Sequence, residues 1–512
     1  MTTATPLDLD RLTIDDVRAG ALRGRLVTVL GFARSGVAAA RFLHDAGARV
    51  RVYDARGTDA LADSFRQLEG REVERWVGPR MDRASSWEGA SLIVASPSVN
   101  EHYPTTDEFM RNALRDLRLR REAGDPTAPP LLSEPDLFLR LCPSVTIGVT
   151  GTKGKTTTSS LIAAVLGADP SHRTILGGNI GIPLVERLPD LRADDRVVIE
   201  LSELQLPTLS RGTHVAVYTN VTSDHLDRHG SLEAYRAAKR RLAELVDPAG
   251  ALILNDDDPV VAGYARDARA RVIGYRAGEP PAGGVGVVDG RIVGDDGTDI
   301  LGVDELAIPG AHNVSNALAA VATARFFGLA PAAIRGAAIG FHGVEHRLET
   351  VATIDGVRFV NDSQGTQPDA VIAALRAFDA PIVLIAGGRD KGVDLSGLPP
   401  VVAERAAAAV LIGETGPALE RLFRAAGLAT IRRAATLESA VRVAEGLARE
   451  EMDRRGASRE SHPGAERMAP AATVLLSPAA ASFDMFVDYA ARGRAFKDVV
   501  AAIAAEQSGR DR

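Results

Sequence analysis

A glycine-rich loop between an apolar run and a helix-like run carries the strongest chemical signal in this sequence. The apolar run 145–150 predicts a buried strand, the loop reads GTKGKT over residues 151–156, and residues 159–166 predict a helix. Loop N–H groups and a helix N-terminus can together bind a polyphosphate. In such a site Lys155 would reach the terminal phosphates and the Thr156 hydroxyl would ligate Mg²⁺.

The spacing of this loop departs from the strict phosphate-loop pattern. That pattern places a glycine five residues before Gly154, where this chain has Val149. An ordinary turn rich in glycine and lysine is therefore the alternative. The order of strand, loop and helix favours the phosphate site.

Polar residues lie at or just after the ends of two further predicted strands of the same region, 197–201 and 215–221. These residues are Glu200 and Ser202, then Asn220, Thr222, Asp224 and His225. In open α/β sheets, ligands bind at the carboxyl ends of the strands. We therefore expect these side chains to share a crevice with the glycine loop.

A strand, a glycine turn, a helix and a second strand are predicted over residues 26–54. The glycines Gly31 and Gly36 do not have the G-x-G-x-x-G spacing, so a redox dinucleotide is only weakly indicated. Asp54 ends the second strand, where an acidic side chain can accept a hydrogen bond from a ribose hydroxyl. A helix cap or turn residue is the alternative for Asp54.

Length, charge and cysteine content limit the classes of protein to which this chain can belong. A chain of 512 residues exceeds one ordinary core, so several domains are expected. The net charge of −7 does not suggest a nucleic-acid partner, and the only cysteine, Cys142, excludes a disulfide framework. The first 25 residues do not resemble a signal peptide and no 18-residue apolar run occurs, so we expect a cytoplasmic protein without a membrane span.

Predicted strands and helices alternate along the whole chain, which indicates an α/β protein built from three units. The stretch 454–469 is polar and lacks periodicity, which predicts a mobile insertion. The last helix is predicted over residues 483–505.

Several short segments, taken together at their spacings, resemble the Mur ligases, which are ATP-dependent amide-bond-forming enzymes of bacterial cell-wall synthesis. The segments are the glycine loop, GGNIG, NVTSDHLDRHGS, YRAAK, PGAHNVSNALAA, HRLE, NDS, GGRDKGVDL, and LLSPAAASFDMF followed by ARG. The resemblance covers about residues 25–505 and is greatest to the members that add D-glutamate. It implies a Rossmann-like substrate domain (1–142), a central P-loop ATPase-like domain with a mostly parallel sheet (143–346), and a C-terminal Rossmann-like amino-acid-binding domain (347–512).

The resemblance also implies a reaction in two steps. The carboxylate of UDP-N-acetylmuramoyl-L-alanine would attack the γ-phosphate of ATP to give an acyl phosphate, and the amine of D-glutamate would then displace phosphate. Because a polyphosphate and a carboxylate repel each other, cations must lie between them. The expected cofactors are ATP and Mg²⁺ at two sites, and the expected enzyme is a cytoplasmic monomer of peptidoglycan precursor synthesis.

Residue by residue, the resemblance implies the following roles. Catalytic positions are Lys155, His225 and Lys239, and metal positions are Thr156, Glu200, His225 and Lys239, with Lys239 carried as a carbamate. ATP positions are Gly151, Thr152, Lys153, Gly154, Lys155, Thr156, Thr157, Asn313, Asn316, Arg347 and Asp362. Positions for the UDP-sugar substrate are Arg34, Ser35, Asp54, Arg56 and Asn179, and those for D-glutamate are Thr366, Lys391, Ser482 and Tyr489.

Some of these residues have plain structural alternatives. Lys239 lies in a basic run that is typical of a solvated helix face, Asn313 and Asn316 could cap a helix, and Lys391 could be a solvated loop lysine. The chain also departs from the family pattern at Gln364, where lysine is usual, and at Ser98 and Glu203. Two other functions stay open, namely an amide ligase of the same superfamily with a different amino-acid acceptor, and a non-catalytic nucleotide-binding module.

Overall fold

The computed structural model contains three β-sheets flanked by helices within the residues it describes, which are 7–79, 82–103, 106–181, 183–222, 231–308, 310–379, 381–390, 393–460 and 472–510. The α/β class is confirmed, since most strand pairs in these sheets are parallel. The chain divides into two compact units, residues 1–341 and 342–512. The finer domain boundaries, after residues 142 and 346, stay predictions.

The first sheet is fully parallel, with the strand order β3-β2-β1-β4-β5. Its strands are β1 (Leu26–Leu30), β2 (Arg49–Asp54), β3 (Glu74–Val77), β4 (Leu92–Ala95) and β5 (Leu131–Ser133). The helices of this region are α1 (Ile14–Arg18), α2 (Arg34–Asp45), α3 (Ala62–Arg66), α4 (Glu108–Glu122) and α5 (Glu134–Leu141).

The central sheet has the order β14-β13-β12-β11-β10-β9-β6-β8-β7. Its strands are β6 (Val145–Thr150), β7 (Thr174–Gly178), β8 (Arg196–Glu200), β9 (Val215–Tyr218), β10 (Ala251–Asn255), β11 (Arg271–Tyr275), β12 (Val285–Val288), β13 (Arg291–Gly294) and β14 (Asp299–Gly302). The accompanying helices are α6 (Lys155–Leu166), α7 (Leu232–Leu245), α8 (Pro259–Ala262), α9 (Ala311–Phe326) and α10 (Pro331–Ile339). The short 3₁₀ turns of the whole first unit, 1–341, are Asp59–Leu61, Ala84–Trp87, Leu184–Asp190, Leu206–Thr208, Gly263–Asp267 and Val303–Glu305.

The predicted hairpin is present at the edge of the central sheet. Asp289 and Gly290 both have positive φ, 49° and 74°, between the antiparallel strands β12 and β13. Two successive residues with positive φ give the two-residue turn that suits the twist of a hairpin.

One apolar core runs through the first unit, from the first sheet into the central sheet. Leu184, Val185 and Leu188 of a 3₁₀ turn are buried in it together with Phe42 of α2 and Phe138 of α5. This continuous burial explains why the first two sheets form one unit, although each has its own strand order.

The second unit is a six-stranded sheet in the order β15-β16-β20-β17-β18-β19. The strands are β15 (Glu349–Ile354), β16 (Val357–Asn361), β17 (Ile382–Gly387), β18 (Ala406–Ile412), β19 (Thr430–Arg433) and β20 (Ala472–Leu476). Its helices are α11 (Pro368–Ala377), α12 (Leu398–Arg405), α13 (Gly416–Ala425), α14 (Leu437–Glu460) and α15 (Tyr489–Arg510). Separate apolar clusters cover the two faces of the sheet.

Two element predictions in the second unit were wrong in part, one at the start of the last helix and one over residues 454–460. The last helix begins at Tyr489, not at residue 483, because residues 482–488 form a turn in which the carbonyl of Ser482 accepts bonds from the N–H groups of Met485 and Phe486. Residues 454–460 of the predicted insertion belong to α14, and the rest of that segment, 461–469, lies outside the described residues. Within the described part of the chain, every helix is too short or too polar to cross a bilayer.

Candidate active site

The glycine loop joins the end of β6 to the start of α6, as the sequence predicts. Gly151 and Gly154 have φ values of 153° and 81°, which favour glycine. A Cβ on Gly154 would lie 2.6 Å from Oδ1 of Asn316. Val149, which replaces the glycine of the strict pattern, is a fully buried residue of β6 paired with Glu200 of β8. The departure therefore falls in the strand and not in the loop.

Residues at the end of β9 hold the glycine loop in place. The N–H of Lys153 donates to Oδ1 of Asn220 at 3.0 Å, and Nδ2 of Asn220 donates back to the Lys153 carbonyl at 3.0 Å. The Thr219 hydroxyl donates to the same carbonyl at 2.6 Å, and the Thr152 N–H donates to the Asn220 carbonyl at 2.7 Å. These bonds fix the loop before any ligand arrives, so its N–H groups are preorganised.

The first turn of α6 has the features of an anion site. The N-cap of this helix is Gly154, which has no side chain to cap it, and the first N–H groups of an α-helix have no carbonyl acceptor within the helix itself. Lys155 lies at the helix start and donates from Nζ to the Thr152 carbonyl at 2.9 Å. Thr156 is buried beside it and Thr157 is half-buried. A phosphate bound at this turn would meet backbone donors and one ammonium group.

Glu200 carries a buried carboxylate oxygen without a partner. The residue is 2% exposed and ends β8, the strand next to β6, so it lies beside the glycine loop. Oε1 accepts a bond from Nδ2 of Asn179 at 2.8 Å, whereas Oε2 has no hydrogen-bond partner within the described residues. A buried acceptor left unsatisfied costs on the order of 1–3 kcal/mol, and more when charged. A bound cation would remove that cost.

A metal site made only of this chain's acidic, histidine or cysteine side chains does not occur in the described residues, where no group of three of them comes together. The donors near the loop are one carboxylate, Glu200, and the hydroxyl of Thr156. Both potential metal ligands are oxygen atoms, which Mg²⁺ prefers. Two protein ligands are few, which suits Mg²⁺ because it usually keeps waters and phosphate oxygens as its other ligands.

Lys239 is buried, contrary to what its basic sequence neighbourhood suggests on its own. It has no exposed surface, and Nζ donates to the Gly151 carbonyl at 2.9 Å and to the Thr150 hydroxyl at 3.3 Å. Nζ also lies 5.7 Å from the ring centre of Tyr235 on the same helix. Its neighbours Arg240 and Arg241 are half-exposed. Lys239 therefore lies directly beneath the glycine loop.

Asn313 and Asn316 lie in the first two turns of α9. Asn316 lies next to Gly154 of the glycine loop. Oδ1 of Asn316 accepts a bond from the Thr158 hydroxyl at 3.0 Å, and its Nδ2 donates to Oδ1 of Asn313 at 3.1 Å. Gly310 is the N-cap of this helix, so neither asparagine caps it. Asn316 packs α9 against α6, and its direct contact with ATP stays a prediction.

The predicted sugar-nucleotide residues cluster at the carboxyl ends of β1 and β2. Arg34 and Ser35 form the first turn of α2, and Asp54 ends β2. Asp54 accepts bonds from the Phe32 N–H at 2.8 Å and from the Arg56 guanidinium at 2.8 and 3.0 Å. Burial alone would raise the pKa of Asp54, but the bonds from Arg56 and Phe32 outweigh it and hold that pKa below its usual value. Asp54 thus orients Arg56.

A hydrogen-bonded chain links this cluster to the glycine-loop region. Nη2 of Arg34 donates to the Asn179 carbonyl at 3.1 Å, and Asn179 in turn donates to the Glu200 carboxylate. Asn179 was predicted as a substrate contact, and its amide nitrogen is already committed to Glu200. The chain joins two predicted substrate residues to the predicted metal carboxylate.

In the second unit, Asp362 follows β16 and is 4% exposed. Its carboxylate accepts bonds from the Ser477 hydroxyl at 2.6 Å and from the Leu348 N–H at 3.2 Å. Burial raises the pKa of Asp362 to about 6 despite these bonds and the nearby charge of Arg347. Arg347 itself is exposed, between His346 and Leu348, which have positive φ values of 64° and 46°. Such conformations are costly for these residue types and are often found at functional sites.

The predicted acceptor residues lie on segments at the carboxyl edge of the second unit's sheet. Thr366 is half-buried in the loop after β16, Ser482 is buried in the loop after β20, and Tyr489 begins α15. Sequence reasoning missed Arg492, a buried arginine that bonds to residues of both loops. Its only signal was its place in the matched ARG segment.

Other predicted or departing residues complete the description. His225 and Lys391 lie outside the described residues. Gln364, at the position where the family carries lysine, directs Nε2 to the Glu345 carbonyl at 3.4 Å. Ser98 places its hydroxyl 3.1 Å from that of Ser96, and the buried Glu203 accepts a bond at its carbonyl from the Tyr103 hydroxyl at 2.9 Å.

Comparison with known proteins gives consistent matches along the chain. Family models match residues 25–115 as a Mur ligase MurD-like N-terminal domain, residues 149–324 as a Mur ligase middle domain, and residues 346–453 as a Mur ligase glutamate ligase domain. A protein of Symbiobacterium thermophilum named UDP-N-acetylmuramoylalanine--D-glutamate ligase is 37% identical over 95% of this chain and 100% of its own length. One of the same name from Pelotomaculum thermopropionicum is 38% identical over 93% of this chain and 97% of its own.

A solved structure supports the fold. UDP-N-acetylmuramate-alanine ligase MurC from Thermotoga maritima aligns with a TM-score of 0.50 at 17% identity, over 93% of this chain and 99% of that chain. At this identity the likeness extends to the fold alone.

The raised pKa of Asp362 predicts a defined pH dependence of stability. Because its pKa is about 6 in the folded protein and 3.8 ordinarily, the folded state binds this proton more tightly than the unfolded chain does. The resulting stabilisation is complete below about pH 4 and is lost as the pH rises through about 6, by at most about 3 kcal/mol. We expect Asp362→Asn to gain stability relative to the wild type as the pH rises, measured by urea unfolding between about pH 4 and 7. The exposed Asp379→Asn is the control, and parallel wild-type and Asp362→Asn curves would contradict the assignment.

Proposed function

This chain belongs to the Mur ligase family, and we propose that it catalyses the ATP-dependent addition of D-glutamate to UDP-N-acetylmuramoyl-L-alanine in peptidoglycan precursor synthesis. The observation that carries the proposal is the preorganised glycine loop beside the Glu200 carboxylate, whose Oε2 has no hydrogen-bond partner in the described part of the chain. Near-complete alignment with relatives named for this activity supports the choice of substrates. The intermediate of the proposed reaction is an acyl phosphate.

The first task of the site is to hold ATP with its γ-phosphate accessible. The uncapped first turn of α6 and the loop N–H groups suit the phosphates, and Lys155 supplies a cation that offsets the repulsion of an incoming carboxylate. Asn316 and Asn313 support α6 from behind, so they act on nucleotide binding at least through the loop. Arg347 and Asp362 are also proposed as nucleotide-binding residues.

Mg²⁺ fits the donors beside the loop. Glu200 and the Thr156 hydroxyl would hold one ion, and His225 with a carbamate of Lys239 would hold a second. When bound, the ions neutralise the phosphate oxygens and orient them for in-line attack. The ammonium of Lys239 has carbonyl and hydroxyl acceptors as neighbours, which suit its uncarbamylated form.

The UDP-sugar substrate is proposed to bind at the carboxyl edge of the first sheet. Arg34 and Arg56 provide guanidinium groups for a diphosphate, with Arg56 held by Asp54 and Ser35 in the same helix turn as Arg34. Asn179 forms hydrogen bonds with both Arg34 and Glu200. A substrate bound to Arg34 would therefore also help to fix the position of the Glu200 carboxylate.

For the acceptor amino acid, the proposed residues are Thr366, Lys391, Ser482 and Tyr489. Hydroxyl and ammonium groups suit a dicarboxylate. One observation favours a second candidate: Gln364 removes a cation that the family carries near the acceptor, so a ligase of the same reaction class with a different amino acid is the alternative. We further propose that the enzyme acts in the cytoplasm as a monomer.

An amino-acid panel tests the function directly. With ATP, Mg²⁺ and UDP-N-acetylmuramoyl-L-alanine, we expect D-glutamate to give phosphate release at least about 100-fold faster than L-glutamate, meso-diaminopimelate or L-lysine. The measurement is a phosphate-release assay with product identified by mass spectrometry. Release with another amino acid and none with D-glutamate would favour the alternative, and no release with any would refute a ligase.

Glu200→Gln tests the cation site without relying on turnover alone. The variant removes a buried charge, so without Mg²⁺ we expect it to unfold at the same temperature as the wild type or higher. With ATP, the extra thermal stabilisation that Mg²⁺ gives the wild type should largely disappear, and activity should fall by at least about 100-fold. The exposed Glu279→Gln is the control. A Mg²⁺-dependent shift equal to that of the wild type would exclude Glu200 as a ligand.

Lys239→Ala tests the proposed carbamate. We expect loss of most activity, at least about 100-fold, whereas the half-exposed neighbour Arg240→Ala should stay within about twofold. Wild-type protein in isotopically labelled bicarbonate should show a carbamate signal by NMR that Lys239→Ala lacks. Wild-type turnover of Lys239→Ala in CO₂-depleted buffer would rule out the metal role.

A further inference from the structure

Arg492 is a buried cation that no carboxylate pairs with. Its side chain is 1% exposed, and it forms no ion pair with any residue in the described ranges. Burial lowers its pKa to about 10, with Asp484 and Asp362 acting on it only through longer-range attraction. Burying a charge without a counter-charge is costly, so its neighbours must compensate through hydrogen bonds.

The guanidinium of Arg492 offsets that cost through hydrogen bonds, and these bonds connect two loops. Nε donates to the Ser363 hydroxyl at 3.0 Å and Nη2 to the Ser363 carbonyl at 2.9 Å. Longer bonds of 3.4 Å run from Nη1 to the carbonyls of Ala480 and Ala481. Ser363 lies in the loop after β16 that contains Thr366, and Ala481 directly precedes Ser482.

The same network reaches the start of α15. The Ser363 hydroxyl accepts from Arg492 and donates to the Tyr489 carbonyl at 2.7 Å. Nδ2 of Asn361 donates to the Gly493 carbonyl at 3.2 Å, and a Cβ on Gly493 would overlap the His346 ring. The three described acceptor residues, Thr366, Ser482 and Tyr489, thus lie on segments that Arg492 and Ser363 hold together.

We propose that Arg492 is a positioning residue that sets the spacing of the loops which bind the acceptor amino acid, and that its buried charge favours an acidic acceptor over a neutral one. The inference rests on the proposed function. A lysine cannot replace this arginine, because an ammonium lacks the planar fork that reaches several acceptors at once. The charge matters more in this chain because Gln364 replaces a lysine of the family.

Steady-state kinetics of Arg492→Lys test the proposal. We expect KM for D-glutamate to rise by about tenfold or more, while KM for ATP and for UDP-N-acetylmuramoyl-L-alanine stays within about twofold. Arg494→Lys, at an exposed position on the same helix, is the control and should leave all three KM values within about twofold. Added guanidinium ion should restore part of the D-glutamate affinity to Arg492→Ala but not to Ser482→Ala.

Ser363→Ala keeps Arg492 and removes the hydroxyl that links it to the Tyr489 carbonyl. This variant provides a second test in case Arg492→Lys does not fold. We expect a smaller rise in KM for D-glutamate, about threefold, with a melting temperature only a few degrees lower, because Arg492 Nε and the Tyr489 carbonyl each lose one buried partner. Equal rises in all three KM values, or no rise in Arg492→Lys, would overturn the positioning role. Wild-type protein that fails to use D-glutamate would instead refute the proposed function.

Discussion

A buried carboxylate oxygen that has no hydrogen-bond partner among the described residues, at the carboxyl edge of the central sheet, is the constraint on which the proposed nucleotide site depends. The Oε2 atom of Glu200 is buried beside a loop whose N–H groups are held ready for phosphates. A carboxylate and a polyphosphate repel each other, so neither is stable there without a cation between them. In the proposed function, this buried oxygen makes the binding of nucleotide and the binding of Mg²⁺ depend on each other.

The second unit carries the opposite charge imbalance. Arg492 is buried without a carboxylate partner among the residues that the structure describes, and its guanidinium donates hydrogen bonds to the loops that carry the proposed acceptor residues. A buried carboxylate with one oxygen unsatisfied in the described part of the chain favours a metal ion, and a buried guanidinium without an ion pair there favours an acidic amino acid. Glu200 ends a parallel strand, and Arg492, on α15, bonds to loops that follow parallel strands, which is where open α/β sheets build their sites.

The fold and the glycine loop could be predicted from sequence because their signals are local. An apolar β-branched run, a glycine loop and a helix have recognisable periods and spacings, and the strand β6 was predicted with its correct ends. Lys239 could not be placed from its neighbours, since a basic run is usually solvated, and its burial depends on how α7 packs under the loop. The start of α15 was misplaced because the apolar residues of 483–487 follow a helical pattern but form a turn over Ser482. Arg492 was missed because all its hydrogen-bond partners in the described part of the chain, except the Ser363 hydroxyl, are backbone carbonyls, which no side-chain motif records.

A crystal structure with Mg²⁺ and a non-hydrolysable ATP analogue tests the central claim most directly. The account predicts phosphates on the N–H groups of residues 151–157 and a Mg²⁺ ion about 2.0–2.1 Å from Oε2 of Glu200. A nucleotide bound at that loop with its metal ion far from Glu200, or phosphates bound elsewhere on the molecule, would contradict it.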